Sequence, residues 1–131
     1  MADAEQLIAL CASAQLADGG VGLRFEAVAG GETIGAFVVR YRGQVVAYLN
    51  RCAHVAMELD WLPGQFFGRD GEALVCATHG ATYDPASGDC IGGACAGRGG
   101  LRRLLVFESD GVVYWRPDRG ARPRGEEAAD R

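Results

Sequence analysis

Beyond residue 20, no stretch of the chain repeats its apolar positions with a helical period. The pattern instead offers short apolar segments separated by glycine-bearing turns. Residues 21–28 alternate loosely, and residues 33–41 and 44–49 are rich in β-branched and aromatic side chains, so all three read as strands. Residues 72–76, 81–83, 101–108 and 111–115 are further strand candidates. Residues 6–11 suit a strand or a short helix; the Asp18-Gly19-Gly20 turn close behind favours the strand. Gly30-Gly31 is a turn, and Arg42-Gly43, Asp70-Gly71 and Asp110-Gly111 read as hairpin turns, where glycine supplies the positive φ. These elements predict an all-β fold of antiparallel base sheets, interrupted by a glycine-rich excursion from about residue 50 to 97. Residues 1–116 form one domain on this reading, and residues 117–131, polar and without large apolar groups, a frayed and solvated tail.

Composition narrows the picture. At 131 residues the chain suits one domain, and 49% hydrophobic residues are enough to bury a core. Twenty glycines favour a turn-rich β protein over a helical bundle. The net charge of -4 argues against a nucleic-acid or anionic-membrane partner. No apolar run approaches a membrane span, and the acidic start lacks the features of a secretory signal, so a complete, soluble cytoplasmic protein is expected. In that compartment five cysteines suit ligands or redox groups better than a disulfide framework.

The chemistry lies in two short segments, Cys52-Ala53-His54 and Cys76-Ala77-Thr78-His79, each following a predicted strand. Each offers one thiolate and one imidazole, and 21 residues separate them. Zinc accepts two Cys and two His, but its structural sites usually pair like with like along the chain. A binuclear iron–sulfur centre explains the mixing: one iron takes both cysteines, the other both histidines, and each loop spans the two irons.

The pattern C-x-H followed after about twenty residues by C-x-x-H-G resembles that of Rieske [2Fe–2S] proteins. The resemblance runs through His79-Gly80-Ala81-Thr82-Tyr83-Asp84, Gly88 and Gly92-Gly93, and covers roughly residues 6–116. It implies a [2Fe–2S] cofactor with Cys52, His54, Cys76 and His79 as ligands, and no catalytic residue. It also implies that the added electron rests on the histidine-bound iron. His54 and His79 would then stand at the exposed tip as the electron port, where proton transfer couples to reduction.

The departures from the family pattern refine this. High-potential members carry one more cysteine in each ligand loop, joined as a disulfide; those places hold Met57 and Thr78 here. The membrane anchor of that branch is not expected either, since no apolar run here is long enough for one, and the chain is more similar to soluble Rieske ferredoxins. The serine and tyrosine that donate hydrogen bonds in the high-potential branch correspond to Ala81 and Tyr83. One donor is lost; Tyr83 is either the second donor or a core aromatic bonded elsewhere. The resemblance thus implies a potential in the low to middle part of the Rieske span of about −150 to +300 mV. The region that commonly forms a proline-containing cover reads Ile91-Gly92-Gly93-Ala94-Cys95, without proline. Cys90 and Cys95 flank it. They form either a redox-active pair beside the iron or two free, partly buried thiols, and the rarity of cytosolic disulfides favours the thiols. Cys11 is expected in the core. Trp61, Phe66 and Phe67 either exclude water from the centre or tie the excursion to the base. The excursion itself looks too rich in glycine to bury much alone, so the cluster is expected to hold it together.

The function implied is one-electron transfer between protein partners, a reductase and an oxygenase or other oxidoreductase. The chain is too short to carry an oxygenase's catalytic domain, and both its histidines are already assigned. A redox or iron–sulfur sensor and a structural zinc module are the alternatives.

Overall fold

The structure, a computed structural model, describes residues 7–52, 57–60, 62–68, 71–77, 80–95, 99–118 and 120–123. Seven strands form one antiparallel sheet: β1 (Ile8–Ala12), β2 (Leu23–Ala29), β3 (Glu32–Tyr41), β4 (Gln44–Leu49), β8 (Arg103–Ser109), β9 (Val112–Arg116) and β10 (Arg122–Pro123), in the order β1-β9-β8-β4-β3-β2-β10. Three short strands, β5 (Leu74–Val75), β6 (Thr82–Tyr83) and β7 (Cys90–Gly92), make a second antiparallel sheet within the excursion. Two single 3-10 turns, Ser13–Gln15 and Gly93–Cys95, are the only helical segments among the described residues. No helix there is long and apolar enough to cross a membrane.

The tight hairpins follow from turn chemistry. Arg42 and Gly43 join β3 to β4 with φ of 50° and 83°, and Asp110 and Gly111 join β8 to β9 with 50° and 80°. Two consecutive positive φ values twist the chain in the sense that antiparallel neighbours need.

The central hairpin explains where the excursion sits. Ala36 to Val39 on β3 and Val46 to Leu49 on β4 are all buried, on both faces of the sheet. Ala36, Val38, Ala47 and Leu49 point into one core with Leu104, Val113 and Trp115. Phe37, Val39, Val46 and Tyr48 point into another with Leu59, Phe66, Leu74 and Tyr83 of the excursion. The excursion therefore covers one face of β3 and β4. It buries far more than its glycine content suggests, because the base supplies the other half of the core. Phe66 stacks on Phe37 with ring centroids 3.8 Å apart, so it ties the excursion down. Tyr48 adds a polar tie, its hydroxyl donating to the Pro85 carbonyl at 2.6 Å, and burial pushes its phenol up to about 12.

Two expectations about the ends change. Residues 117–131 do not all form a solvated tail. Asp118 Oδ1 accepts from the Gly120 and Ala121 amides at 2.8 and 3.0 Å, Ala121 is buried, and Arg122–Pro123 pair with Val28 and Ala27 at the edge of β2. An edge strand tolerates proline, which lacks the donor that an interior strand needs. Residues 124–131 lie outside the described residues. Cys11 is only half-buried against the first core, where burial raises its thiol pKa.

One ion pair spans the base. Arg40 on β3 holds Glu108 on β8 at 2.6 Å, with Arg40 Nε also donating to the Leu16 carbonyl. The Arg40 guanidinium, with help from Ser13, holds the Glu108 carboxyl down to about 2 from 4.5. A depressed carboxylate stabilises the fold above its unfolded pKa and ceases to as pH falls through its folded one. Acid titration of unfolding should therefore show Arg40→Ala losing the wild type's pH dependence between about 4.5 and about 2.

Candidate metal centre

β4 leads directly into the first cysteine–histidine segment. Asn50, buried at the strand's end, donates its backbone N–H to the Gly35 carbonyl at 2.8 Å. Two residues on, the Cys52 amide donates to the Met57 carbonyl at 2.8 Å. That bond closes a loop of residues 52–57, with Cys52 at its neck and His54 within it by sequence.

β5 leads into the second segment. The Cys76 amide donates to the Ala81 carbonyl at 2.8 Å, and the Gly80 amide donates back to the Cys76 carbonyl at 2.8 Å. This smaller loop likewise carries its cysteine at the neck and, by sequence, His79 inside. Gly80, at φ 77°, makes the return that a side chain would resist. The Ala77 amide donates to the Leu59 carbonyl at 2.9 Å, which fastens the two loops side by side.

Cys52 and Cys76 share one buried cluster and are 3% and 0% exposed. The Tyr83 hydroxyl lies 3.1 Å from Cys52 Sγ, so Tyr83 is both a core aromatic and a partner of the thiol. His54, His79, Thr78 and Trp61 lie outside the described residues. No group of three or more metal-ligating side chains forms among the described residues.

Residues that the sequence did not single out hold the first loop. Asp60, with a side chain 0% exposed, accepts from Asn50 Nδ2 and from the Gly64 amide, both at 2.9 Å, and pairs with Arg24 Nε at 3.5 Å. Asn50 Oδ1 accepts from the Leu59 amide at 2.8 Å. Arg24 of β2 also holds Glu58 at 2.9 Å. This network fixes the backbone of residues 58–60, including the Leu59 carbonyl that joins the loops. The only signal in the sequence is a lone aspartate within the run Leu59-Asp60-Trp61-Leu62.

The expectation that Cys90 and Cys95 are free thiols is corrected: they are joined in a disulfide, with Cα atoms 6.2 Å apart. The 3-10 turn that follows β7 brings the two ends of this short segment within bonding reach, which their spacing alone does not reveal.

The donor set fits a [2Fe–2S] cluster. Two closed loops, fastened together, each present one soft ligand from a buried neck and hold one imidazole by sequence. A mononuclear zinc site gives no reason for that division.

The sequence profile of the Rieske [2Fe–2S] domain matches residues 6–116. Among solved structures, the ferredoxin of carbazole 1,9a-dioxygenase from Nocardioides aromaticivorans IC177 superposes with a TM-score of 0.67 at 20% identity, covering 86% of this chain and 99% of that one. The Sphingomonas yanoikuyae B1 ferredoxin gives 0.65 at 24% identity, covering 86% and 100%. A chain of the fluorene-bound oxygenase and ferredoxin complex of carbazole 1,9a-dioxygenase gives 0.69 at 19% identity; 85% of this chain is covered, but it spans only 28% of that one. No curated protein sequence matches significantly. With a profile match extending over most of its length and a fold shared with these structures, the chain belongs to the Rieske [2Fe–2S] domain family, whose cofactor is a [2Fe–2S] cluster.

Proposed function

We propose that this protein is a one-electron carrier that holds its cluster on Cys52, His54, Cys76 and His79 and works in the cytoplasm between a reductase and an oxygenase or other oxidoreductase. The observation that carries the reading is the pair of loops, each closed at its neck by a backbone hydrogen bond and joined through Ala77 and Leu59. The likeness in fold to the ferredoxin of carbazole 1,9a-dioxygenase supports an oxygenase as the acceptor.

The cluster supplies a one-electron couple. The chain's own residues tune and shelter it. Two neutral imidazoles in place of two thiolates leave the site less negative, which raises its potential above that of an all-cysteine site. Where Cys52 is a thiolate, only the Tyr83 phenol has a proton to give, so Tyr83 donates and favours the more electron-rich state. Phe66, Leu59 and Leu74, fully buried beneath the loops, keep water from the cysteine side. Both histidines of the sequence are used, which leaves none for an oxygen-activating His–His–carboxylate iron within these residues. Met57, Leu62 and Ile91 of the excursion are large, apolar and exposed, and suit a protein partner better than a small substrate.

Tyr83→Phe removes a hydrogen bond that favours the reduced state; a preference of roughly 1 kcal/mol for that state corresponds to a fall in midpoint potential of about 40 mV for a one-electron couple. Redox titration followed by visible circular dichroism checks this; an unchanged potential would remove Tyr83 from the tuning groups. The proposal as a whole is tested by stoichiometric dithionite titration followed by mixing with the oxidised terminal component of an aromatic-ring dioxygenase. Uptake of one electron per chain at the cluster and its delivery to that component are expected. A protein that takes up no electron, or that itself turns over an aromatic substrate, would contradict the reading.

A further inference from the structure

The Cys90–Cys95 disulfide has no role in holding or tuning the cluster as described so far, yet its neighbours include residues of the site. Cys90 on β7 pairs with Tyr83, whose hydroxyl touches Cys52 Sγ. Gly92 pairs with Thr82. The chain then folds back as the 3-10 turn Gly93–Cys95 onto the second ligand loop. Gly93, at φ 74°, packs so closely there that an added Cβ would strike the Gly80 carbonyl oxygen. Gly80 follows His79 directly and closes the loop on the Cys76 carbonyl. The disulfide thus ties the two ends of a short cover whose middle presses on the loop carrying Cys76 and His79.

The surroundings also accommodate the open pair. Cys95 Sγ lies 3.2 Å from the Gly92 carbonyl oxygen and 3.9 Å from that of Thr82, and Cys90 Sγ lies 3.6 Å from Gly92 O. Disulfide sulfurs have no proton to donate, but thiols do. Each thiol of the reduced pair would find an acceptor already in place, so neither state leaves a buried donor unsatisfied. Cys90 and Cys95 are 7% and 6% exposed, while Ile91 between them is 58% exposed. A reductant approaches the bond from that solvent side.

We propose that Cys90 and Cys95 form a reversible dithiol–disulfide site that clamps the second ligand loop. Closed, it holds the Gly93–Cys95 turn against Gly80; open, it lets the turn lift and the loop loosen its hold on the cluster. The inference rests on the cluster assignment above and adds regulation to the same site. Opening consumes two electrons and two protons. A dithiol reductant attacks one sulfur and breaks the Cys90–Cys95 bond through a mixed disulfide. Its second thiol then resolves that intermediate, leaving Cys90 and Cys95 as thiols and the reductant as a disulfide.

The test uses the full chain with its cluster assembled, oxidised or pre-incubated with dithiothreitol under anaerobic conditions, beside the double variant Cys90→Ser/Cys95→Ser. Alkylation and intact mass count the thiols, and iron release to a chelator is followed in the same samples. Opening the pair should speed iron release from the wild type by roughly tenfold or more, to the rate of the double variant, which dithiothreitol leaves unchanged. Reoxidation should restore the slow rate. Equal rates with the pair open and closed would overturn the clamp, and a disulfide that resists dithiothreitol until the protein unfolds would overturn its reversibility. Should the double variant not fold, the wild-type comparison decides alone. An oxidised wild type that holds no iron or sulfide would instead defeat the cluster assignment, a separate result.

Discussion

Stripping iron and sulfide from the protein is expected to release the two ligand loops while the base sheet stays folded. Hydrogen exchange should rise by roughly two orders of magnitude or more at the Cys52, Leu59, Cys76, Ala77 and Gly80 amides. These amides bond only within or between residues 50–60 and 76–81. On the proposed ligands, the cluster would add four bonds across that same small region, and such bonds stabilise only the folded loops. The amides of β3 and β4 should stay protected, because those strands are paired along their lengths and buried on both faces. Phe66, stacked on Phe37, and the disulfide-bonded turn should stay docked as well. Equally slow exchange in the apo loops would show that packing alone holds them.

The largest effect of a single substitution outside the proposed ligands is expected at Asp60. Asp60→Ala leaves the Asn50 amide group and the Gly64 N–H without their acceptor in a buried position and removes a partner of Arg24. Breaking a buried charged network by deleting one member costs about 3 kcal/mol or more. For a domain of this size that corresponds to a fall in Tm of roughly 10 °C. Thermal unfolding of the cluster-loaded protein measures it, and a change below about 1 kcal/mol would contradict the role assigned to the network. Asn50 also holds the Leu59 amide, so the variant should lose iron faster as well.

The turns and long strands were legible because local chemistry decides them. Arg42-Gly43 and Asp110-Gly111 adopt the paired positive φ that the dipeptides suggest, and β4 spans the residues its side chains indicate. β7 and β10 were not legible. Cys-Ile-Gly and Arg-Pro carry no strand pattern and form strands only because β6 and the edge of β2 offer partners. The packing of the excursion was misjudged for a related reason. Its apolar residues are thinly spread, but β3 and β4 carry unbroken apolar runs, and a strand that is apolar on both faces needs a cover on each. The spacing of Cys52 and Cys76 with histidine is what points to the candidate site, and both cysteines fall in one buried cluster. Asn50 and Asp60, which hold the first loop, were not, since a buried polar pair gains its meaning only when the fold brings its partners together. The Cys90–Cys95 bond was missed because a general rule about compartments outweighed five residues of separation, and only the turn between them brings the sulfurs together.

The most direct test of the central claim is iron and acid-labile sulfide content, with EPR of the dithionite-reduced protein on the same sample. Two irons and two sulfides per chain are expected, as a [2Fe–2S] cluster requires. The reduced protein should also give a rhombic signal whose average g lies below the free-electron value and below that of all-cysteine clusters. A colourless protein holding zinc, or a single metal without sulfide, would contradict it.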